Sequence, residues 1–182
     1  MAIATPALEG TYELDRTHSS VQFAVSHVGV STFRGSFADV EASLVAEGDA
    51  VLLVANAVVD SISIGDPPEF REHVVRSSDF FAADEYPQIS FRSTAIDIAD
   101  DGTATVVGVL EIRGVERPVR ATGTLRAPTE DPFGNTRIGL AIEAIIDRRN
   151  WNMDWQMPLP AGGDALGWEV EITAQLEFTK RR

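Results

Sequence analysis

The C-terminal part of the chain alternates apolar and polar residues, and this pattern constrains the fold more than any other feature. From Trp168 to Thr179, every second residue is apolar: Val170, Ile172, Ala174, Leu176 and Phe178. The residues between them are polar or charged. A period of two places successive side chains on opposite faces of a β-strand. The segment is therefore predicted to be a strand with one face buried and the other in water.

Seven further segments have strand-like patterns, and Gly, Pro, Asp and Asn residues separate most of them. They are Ser20–Val28, Ser36–Glu47, Val51–Ile64, Gln88–Ile98, Thr103–Arg113, Arg117–Arg126 and Arg137–Asp147. Eight long strands with short connections predict an all-β fold, an antiparallel up-and-down meander. Closing the meander into a barrel removes two exposed edges. A barrel of this size encloses either packed side chains or one small ligand, and alternation leaves both alternatives open.

Two segments interrupt the strand pattern. Glu69–Ser78 has helical spacing after Pro67-Pro68, which predicts a short helical insertion. Trp151–Gly167 is a long connection rich in Trp, Met, Pro and Gly. There is no repeat, low-complexity tract or composition shift, so residues 1–182 are predicted to form a single domain.

Composition excludes several classes of partner. The formal charge of −13, from 28 acidic and 15 basic residues, repels nucleic acids and anionic lipid surfaces. The absence of cysteine excludes disulfides, thiolate metal sites and a cysteine nucleophile. No segment approaches the ~18 consecutive apolar residues of a membrane span. Met1–Pro6 lacks the charged and apolar regions of an export signal, so a soluble cytoplasmic protein is expected.

The sequence predicts no catalytic, cofactor or metal site. Asp15, His18 and Ser19 are the residue types of a catalytic triad, but they crowd into an extended segment whose alternate side chains diverge. His27 and His73 are the other two histidines, and no pair has His-x-x-x-His spacing. No nucleophile elbow, P-loop or dinucleotide motif is present.

Three motifs occur in order along the chain. The first is Asp15–His27, which reads D-R-T-H-S-S-V-Q-F-A-V-S-H, followed by Gly35–Phe37. The second comprises Arg71–Phe81 and Tyr86–Ser93, and the third is Asp147–Trp151. Together they resemble the YceI-like family over roughly Gly10 to Phe178. The chain departs from the family pattern at Val74, where the family has His, and at Asn152, where it has Gly.

The resemblance implies a lipocalin-like barrel that binds, stores or transports a long-chain apolar or amphipathic lipid. A polyisoprenoid, such as a prenyl quinone or polyprenyl phosphate, is the expected ligand. Relatives are often secreted or periplasmic and often dimeric, so a homodimer is also expected. Two alternatives stay open: a stress-related interaction module with a filled lumen and, less favoured, an isoprenoid-processing enzyme.

The candidate ligand-binding side chains come from inward strand positions and from the two irregular segments. His27 shares a face with Phe23 and Val25, so it either caps a polar head group at the barrel mouth or is a satisfied interior histidine. For each apolar candidate the alternative is a plain core position. The full set is Phe23, Val25, His27, Phe37, Phe80, Phe91, Ile142, Trp151, Trp155 and Phe178. Trp151 to Met157 also alternates large apolar residues, as either an adaptable lid or packing on the exterior.

Overall fold

The computed structural model describes residues 8–65 and 67–182, and within them an antiparallel sheet closes into a barrel. The expectation that Met1–Pro6 is not an export signal concerns residues outside these ranges. One short helix, α1 (Pro68–Arg76), accompanies the strands. The strands are β1 (Gly10–Leu14), β2 (Ser20–His27), β3 (Ser31–Phe37), β4 (Val40–Glu47), β5 (Ala50–Val58), β6 (Ile62–Ser63), β7 (Gln88–Ile98), β8 (Thr103–Ile112), β9 (Val115–Glu130), β10 (Thr136–Asp147) and β11 (Leu166–Lys180).

Three of the long strands are broken by short irregular steps. A 3-10 turn over Arg16–His18 separates β1 from β2, two residues separate β3 from β4, and Val59–Ser61 separates β5 from β6. Joining these pieces leaves eight long strands, each paired with the next along the chain. The last of them, β11, pairs with both β1 and β2 and so closes the ring. The predicted eight-stranded antiparallel up-and-down barrel is confirmed.

The strand ends differ from the prediction where backbone pairing and apolar alternation disagree. The predicted strand Ser36–Glu47 is wrong at its start, because strand structure extends back to Ser31 in β3, opposite β2. Val51–Ile64 is not one strand, because the turn at Val59–Ser61 redirects the chain so that β6 pairs with β3. β9 continues to Glu130, past the predicted end, because its polar last residues still pair with β10. Ladder hydrogen bonds need no apolar side chain, so polar residues extend these strands.

One end of the barrel is filled by a tightly packed core. Inward side chains there come from β1, β4, β5, β8, β9, β10 and β11, which all reach this end. The largest are essentially inaccessible to water: Tyr12, Leu44, Leu53, Val106, Ile138, Leu140 and Phe178. Since folding is stabilised by apolar area removed from water, this end contributes a large part of the hydrophobic stabilisation.

The opposite end is covered by α1 and by the connection between β10 and β11. The predicted helix is confirmed, although it begins at Pro68 and ends at Arg76, and proline is favoured at the first helical position. Val74 and Val75 of α1 are buried, Val75 in a cluster with Val59 and Ile62. In the described ranges no helix is both long and apolar enough to cross a membrane.

Candidate functional site: an apolar cavity in the barrel

A cavity of about 640 Å³ lies inside the barrel, between the filled end and the covered end. Its volume falls within the ~300–1,000 Å³ of typical small-molecule sites. Alternate inward residues of three neighbouring strands form much of its wall. They are Val21, Phe23, Val25 and His27 of β2, Ile142, Ala144 and Ile146 of β10, and Val170, Ile172, Ala174 and Leu176 of β11.

Phenylalanine rings cluster around Phe23 of β2 in the cavity wall. The ring centroid of Phe23 lies 5.8 Å from that of Phe37, 6.3 Å from that of Phe33 and 6.4 Å from that of Phe81. Gly35 stands opposite Phe23 on β3, and a Cβ there would lie only 2.3 Å from the Phe23 ring. The glycine is therefore required for Phe23 to lie across the strand pair.

Most of the polar side chains of the cavity lie at its mouth, at the covered end of the barrel. Ser31, Thr32 and His27 flank the turn between β2 and β3, and His73 lies on α1. All four are exposed to solvent in part of their surface. The His73 ring packs edge-on against Phe80 at 5.6 Å. This mouth offers hydrogen-bonding groups to the polar end of a ligand whose apolar part lies deeper.

Eight of the ten candidate residues line this one cavity: Phe23, Val25, His27, Phe37, Phe80, Phe91, Ile142 and Trp155. The structure places Phe178 in the filled end instead, where it is fully buried. Trp151 is 1% exposed in a 3-10 turn, and its Nε1 donates to the Leu110 carbonyl at 3.2 Å. Both side chains are packed in core clusters. For Phe178 the reason is that alternation reports the face of a strand but not the depth along the barrel axis.

Sequence reasoning missed several large residues of the cavity wall, namely Phe33, Phe70, Phe81 and Arg148. Phe33 and Phe81 contact Phe23 in the aromatic cluster. Arg148 follows β10 and continues the inward series Ile142, Ala144, Ile146. The period of two could have identified Arg148, although a charged residue at an inward position is the opposite of what alternation predicts.

Arg148 is a buried cation, 3% exposed, held mainly by backbone carbonyls. Its Nε donates to Gly167 at 2.8 Å, its Nη1 to Met153 at 2.5 Å and its Nη2 to Leu166 at 3.3 Å. Its guanidinium carbon lies 4.3 Å from the centroid of the Trp168 ring. Burial lowers the pKa of Arg148 from its ordinary value, since the charged form loses solvation, but an arginine remains charged at neutral pH.

Asp15 and His18 lie outside the cavity, in a salt-bridge cluster around Arg137. The Arg137 guanidinium bonds Asp15 at 2.7 Å, Glu177 at 2.6 Å and Asp131 at 2.7 Å. The hydrogen bond from Arg137 to Asp15, with a second from His18, lowers the pKa of Asp15 from 3.8 to about 2. The Asp15 carboxylate in turn raises the pKa of His18.

Ligand atoms of Asp15, His18 and Glu177 lie within 4.8 Å of one another, close enough for a metal ion. Both carboxylates already accept hydrogen bonds from Arg137, whose charge opposes a bound cation. Ser19 Oγ accepts from the Glu177 backbone N–H at 2.9 Å, and no bond joins it to His18. The cluster therefore links the turn between β1 and β2 to β10 and β11 by hydrogen bonds and ion pairs.

A closed eight-stranded antiparallel barrel with an apolar lumen places the protein in the lipocalin-like class of β-barrels. The model of the YceI-like domain matches residues 12–178. The chain therefore belongs to the YceI-like family.

Known relatives match over most of the chain. A UPF0312 protein of Staphylococcus aureus is 28% identical over 170 residues, which cover 92% of this chain and 96% of the relative. BcnA of Burkholderia cenocepacia has a similar structure, with a TM-score of 0.72 at 23% identity, covering 90% of this chain and 98% of BcnA. A polyisoprenoid binding domain from Saccharophagus degradans has a TM-score of 0.68 at 13% identity, covering 93% and 98%. At these identities, the solved structures show a shared fold.

Proposed function

We propose that this protein binds a polyisoprenoid or a similar long-chain lipid in its barrel and holds it for storage or transport, as a binding protein rather than an enzyme. The observation that carries the proposal is the cavity of about 640 Å³, whose wall is almost entirely aliphatic and aromatic. The polyisoprenoid binding domain from Saccharophagus degradans has the same fold, which supports the choice of ligand.

The cavity volume sets the length of chain that fits. A water molecule occupies ~30 Å³ in the liquid. If each methylene needs the same volume, the cavity holds about twenty carbons. Burial of each methylene contributes about 0.8 kcal/mol, so twenty contribute about 16 kcal/mol. Association costs about 4–15 kcal/mol in lost rigid-body freedom, so a ten-carbon chain at about 8 kcal/mol binds weakly. We therefore expect affinity to rise steeply between ten and twenty carbons.

Stiffness of the ligand adds to this preference. A saturated chain loses rotational freedom at every bond when it enters the cavity. An isoprenoid chain of equal length has fewer freely rotating bonds, so it loses less. An unsaturated isoprenoid alcohol is therefore expected to bind more tightly than a saturated alcohol with the same number of carbons. Competition between geranylgeraniol and a saturated C20 alcohol measures this difference directly.

Native mass spectrometry of the protein purified from cells tests the proposal. We expect a co-purifying molecule of definite mass, and a raised unfolding temperature when a prenyl quinone with a C20 tail is added to stripped protein. A ligand-free mass together with no thermal shift would contradict lipid binding and favour an interaction module. The same quinone ring without its tail is the control, because it lacks the part that the cavity buries.

A further inference from the structure

Arg148 is a fixed positive charge at the wall of an otherwise apolar cavity. It follows the last residue of β10 on the inward face and is almost fully buried. Its hydrogen bonds to the carbonyls of Met153, Leu166 and Gly167 hold the guanidinium in one position. A lipid that fills the cavity therefore lies against a cation with a defined orientation.

The charged form of Arg148 is favoured by the charges of Asp147, Asp154 and Asp164, although none of these carboxylates is paired with its guanidinium. Within residues 8–65 and 67–182, no carboxylate lies within ion-pair distance of its guanidinium, whereas Arg137 is paired with three carboxylates. The adjacent Asp147 is bonded to Arg149, and Asp164 accepts from the Trp168 indole. Carbonyl dipoles solvate a buried cation but leave its net charge in place, and such a charge is costly unless a counter-charge is supplied.

The guanidinium also has hydrogen-bonding capacity left for a ligand. Arginine has five N–H donors, and the three bonds to carbonyls use three of them. His27 lies at the same level of the barrel, because it pairs in register with Leu166, whose carbonyl accepts from Arg148. Both side chains line the cavity near its mouth, so two basic groups face the same part of a bound lipid.

We infer that Arg148 receives the head group of the bound lipid, and that this head group is an oxyanion, either a phosphate or a carboxylate. The inference rests on the lipid-binding function proposed above and adds the chemical class of the ligand's polar end. An oxyanion at this position pairs directly with the guanidinium and accepts the remaining N–H donors, and arginine forms such bonds in paired geometry. Most of the net charge of −13 acts on an anion at long range, where salt screens it.

The test compares two ligands with the same chain and different heads, geranylgeranyl monophosphate and geranylgeraniol. Binding of each to stripped protein is measured by competition with a fluorescent polyene fatty acid. The wild-type protein is expected to prefer the phosphate by about ten- to hundredfold, the usual contribution of hydrogen bonds to a charged group. Arg148→Gln, which keeps amide donors for the carbonyls but removes the charge, is expected to weaken the phosphate far more than geranylgeraniol and so to abolish most of this preference.

Two further variants separate a head-group role from a purely structural one. Arg148→Lys keeps the charge and is expected to keep part of the preference for the phosphate. Arg149→Gln is the matched control: Arg149 is the next residue along, but it is exposed, and it is expected to behave as wild type in both binding assays. Thermal unfolding of all three variants shows which of them fold, and Arg148→Lys carries the test if Arg148→Gln does not.

The possible outcomes distinguish this inference from the proposed function. If geranylgeraniol and its phosphate bind the wild type equally, or if Arg148→Gln weakens both ligands by the same factor, the head-group assignment is overturned while lipid binding stands. If neither ligand binds the wild type, the lipid-binding function itself fails. Loss of the phosphate preference in Arg148→Gln alone supports the assignment.

Discussion

Two adjacent residues of β10, Ala144 and Ile145, allow a direct test of whether the barrel lumen is the binding site. Ala144 lines the cavity, whereas Ile145 is 68% exposed on the outer face of the same strand. Ala144→Phe places a ring inside the cavity, and Ile145→Phe places the same ring outside. Each variant introduces a phenylalanine, and the two positions are adjacent on β10 but face opposite sides of the barrel wall. They therefore form a matched pair.

The size of the effect follows from the space that the ring removes. Phenylalanine has six more carbons than alanine, and its ring displaces about three to six ligand methylenes from the cavity. At about 0.8 kcal/mol for each methylene, binding of a C20 lipid weakens by about 2.5–5 kcal/mol, or about two to four powers of ten in Kd. The ring enters empty space rather than a packed core, so we expect the free energy of unfolding to hold or rise.

The assay is competition binding of a C20 prenyl lipid to both variants, with urea unfolding of each in the absence of lipid. We expect Ala144→Phe to lose affinity at unchanged stability and Ile145→Phe to match the wild type. Wild-type affinity in Ala144→Phe would refute a luminal site, as would an equal loss in the two variants. A ten-carbon alcohol provides a further check, because a partly filled cavity still has room for a short chain.

Three further predictions concern stability. Val28 and Gly29 are the central residues of the β-turn that the Val30 N–H closes by donating to the His27 carbonyl, and their φ values are +46° and +71°. A β-branched residue is strained at such a position, so Val28→Asn is expected to raise the free energy of unfolding by about 1 kcal/mol in urea titration. A smaller change, or a loss, would show that the Val28 side chain is stabilising at the turn. The bond from Arg137 lowers the pKa of Asp15 from 3.8 to about 2, so its stabilisation is present above pH 4 and is lost as the pH falls toward 2. Asp15→Asn should therefore flatten the decline of stability between pH 4 and pH 2, and an unchanged slope would exclude this ion pair as a cause. Phe178→Ala, in the filled end, is expected to cost about 3–5 kcal/mol while leaving the C20 lipid affinity intact, and a loss of affinity in folded protein would place Phe178 at the site.

Much of the fold was predictable because strand alternation and motif order are local properties of the chain. The inward series Val21, Phe23, Val25, His27 was assigned correctly, since a strand that buries one face repeats with a period of two. The YceI-like motifs identified the family because they too are local stretches of the sequence. The pairing of β3 with β2 was not predicted, because exposed polar residues in β3 hide it from an analysis of alternation.

The sequence by itself determined where most of the strands lie, the inward face of the strands that alternate clearly, and the class of barrel. Only the tertiary structure decided that Phe178 packs a filled end, that Ala144 borders a hollow and that Arg148 faces the same cavity. Depth along the barrel axis depends on register between strands far apart in the sequence. Whether a given level is filled depends on the sum of side-chain volumes that all eight strands bring to it. Neither quantity is a property of any one segment, so no local pattern reports them.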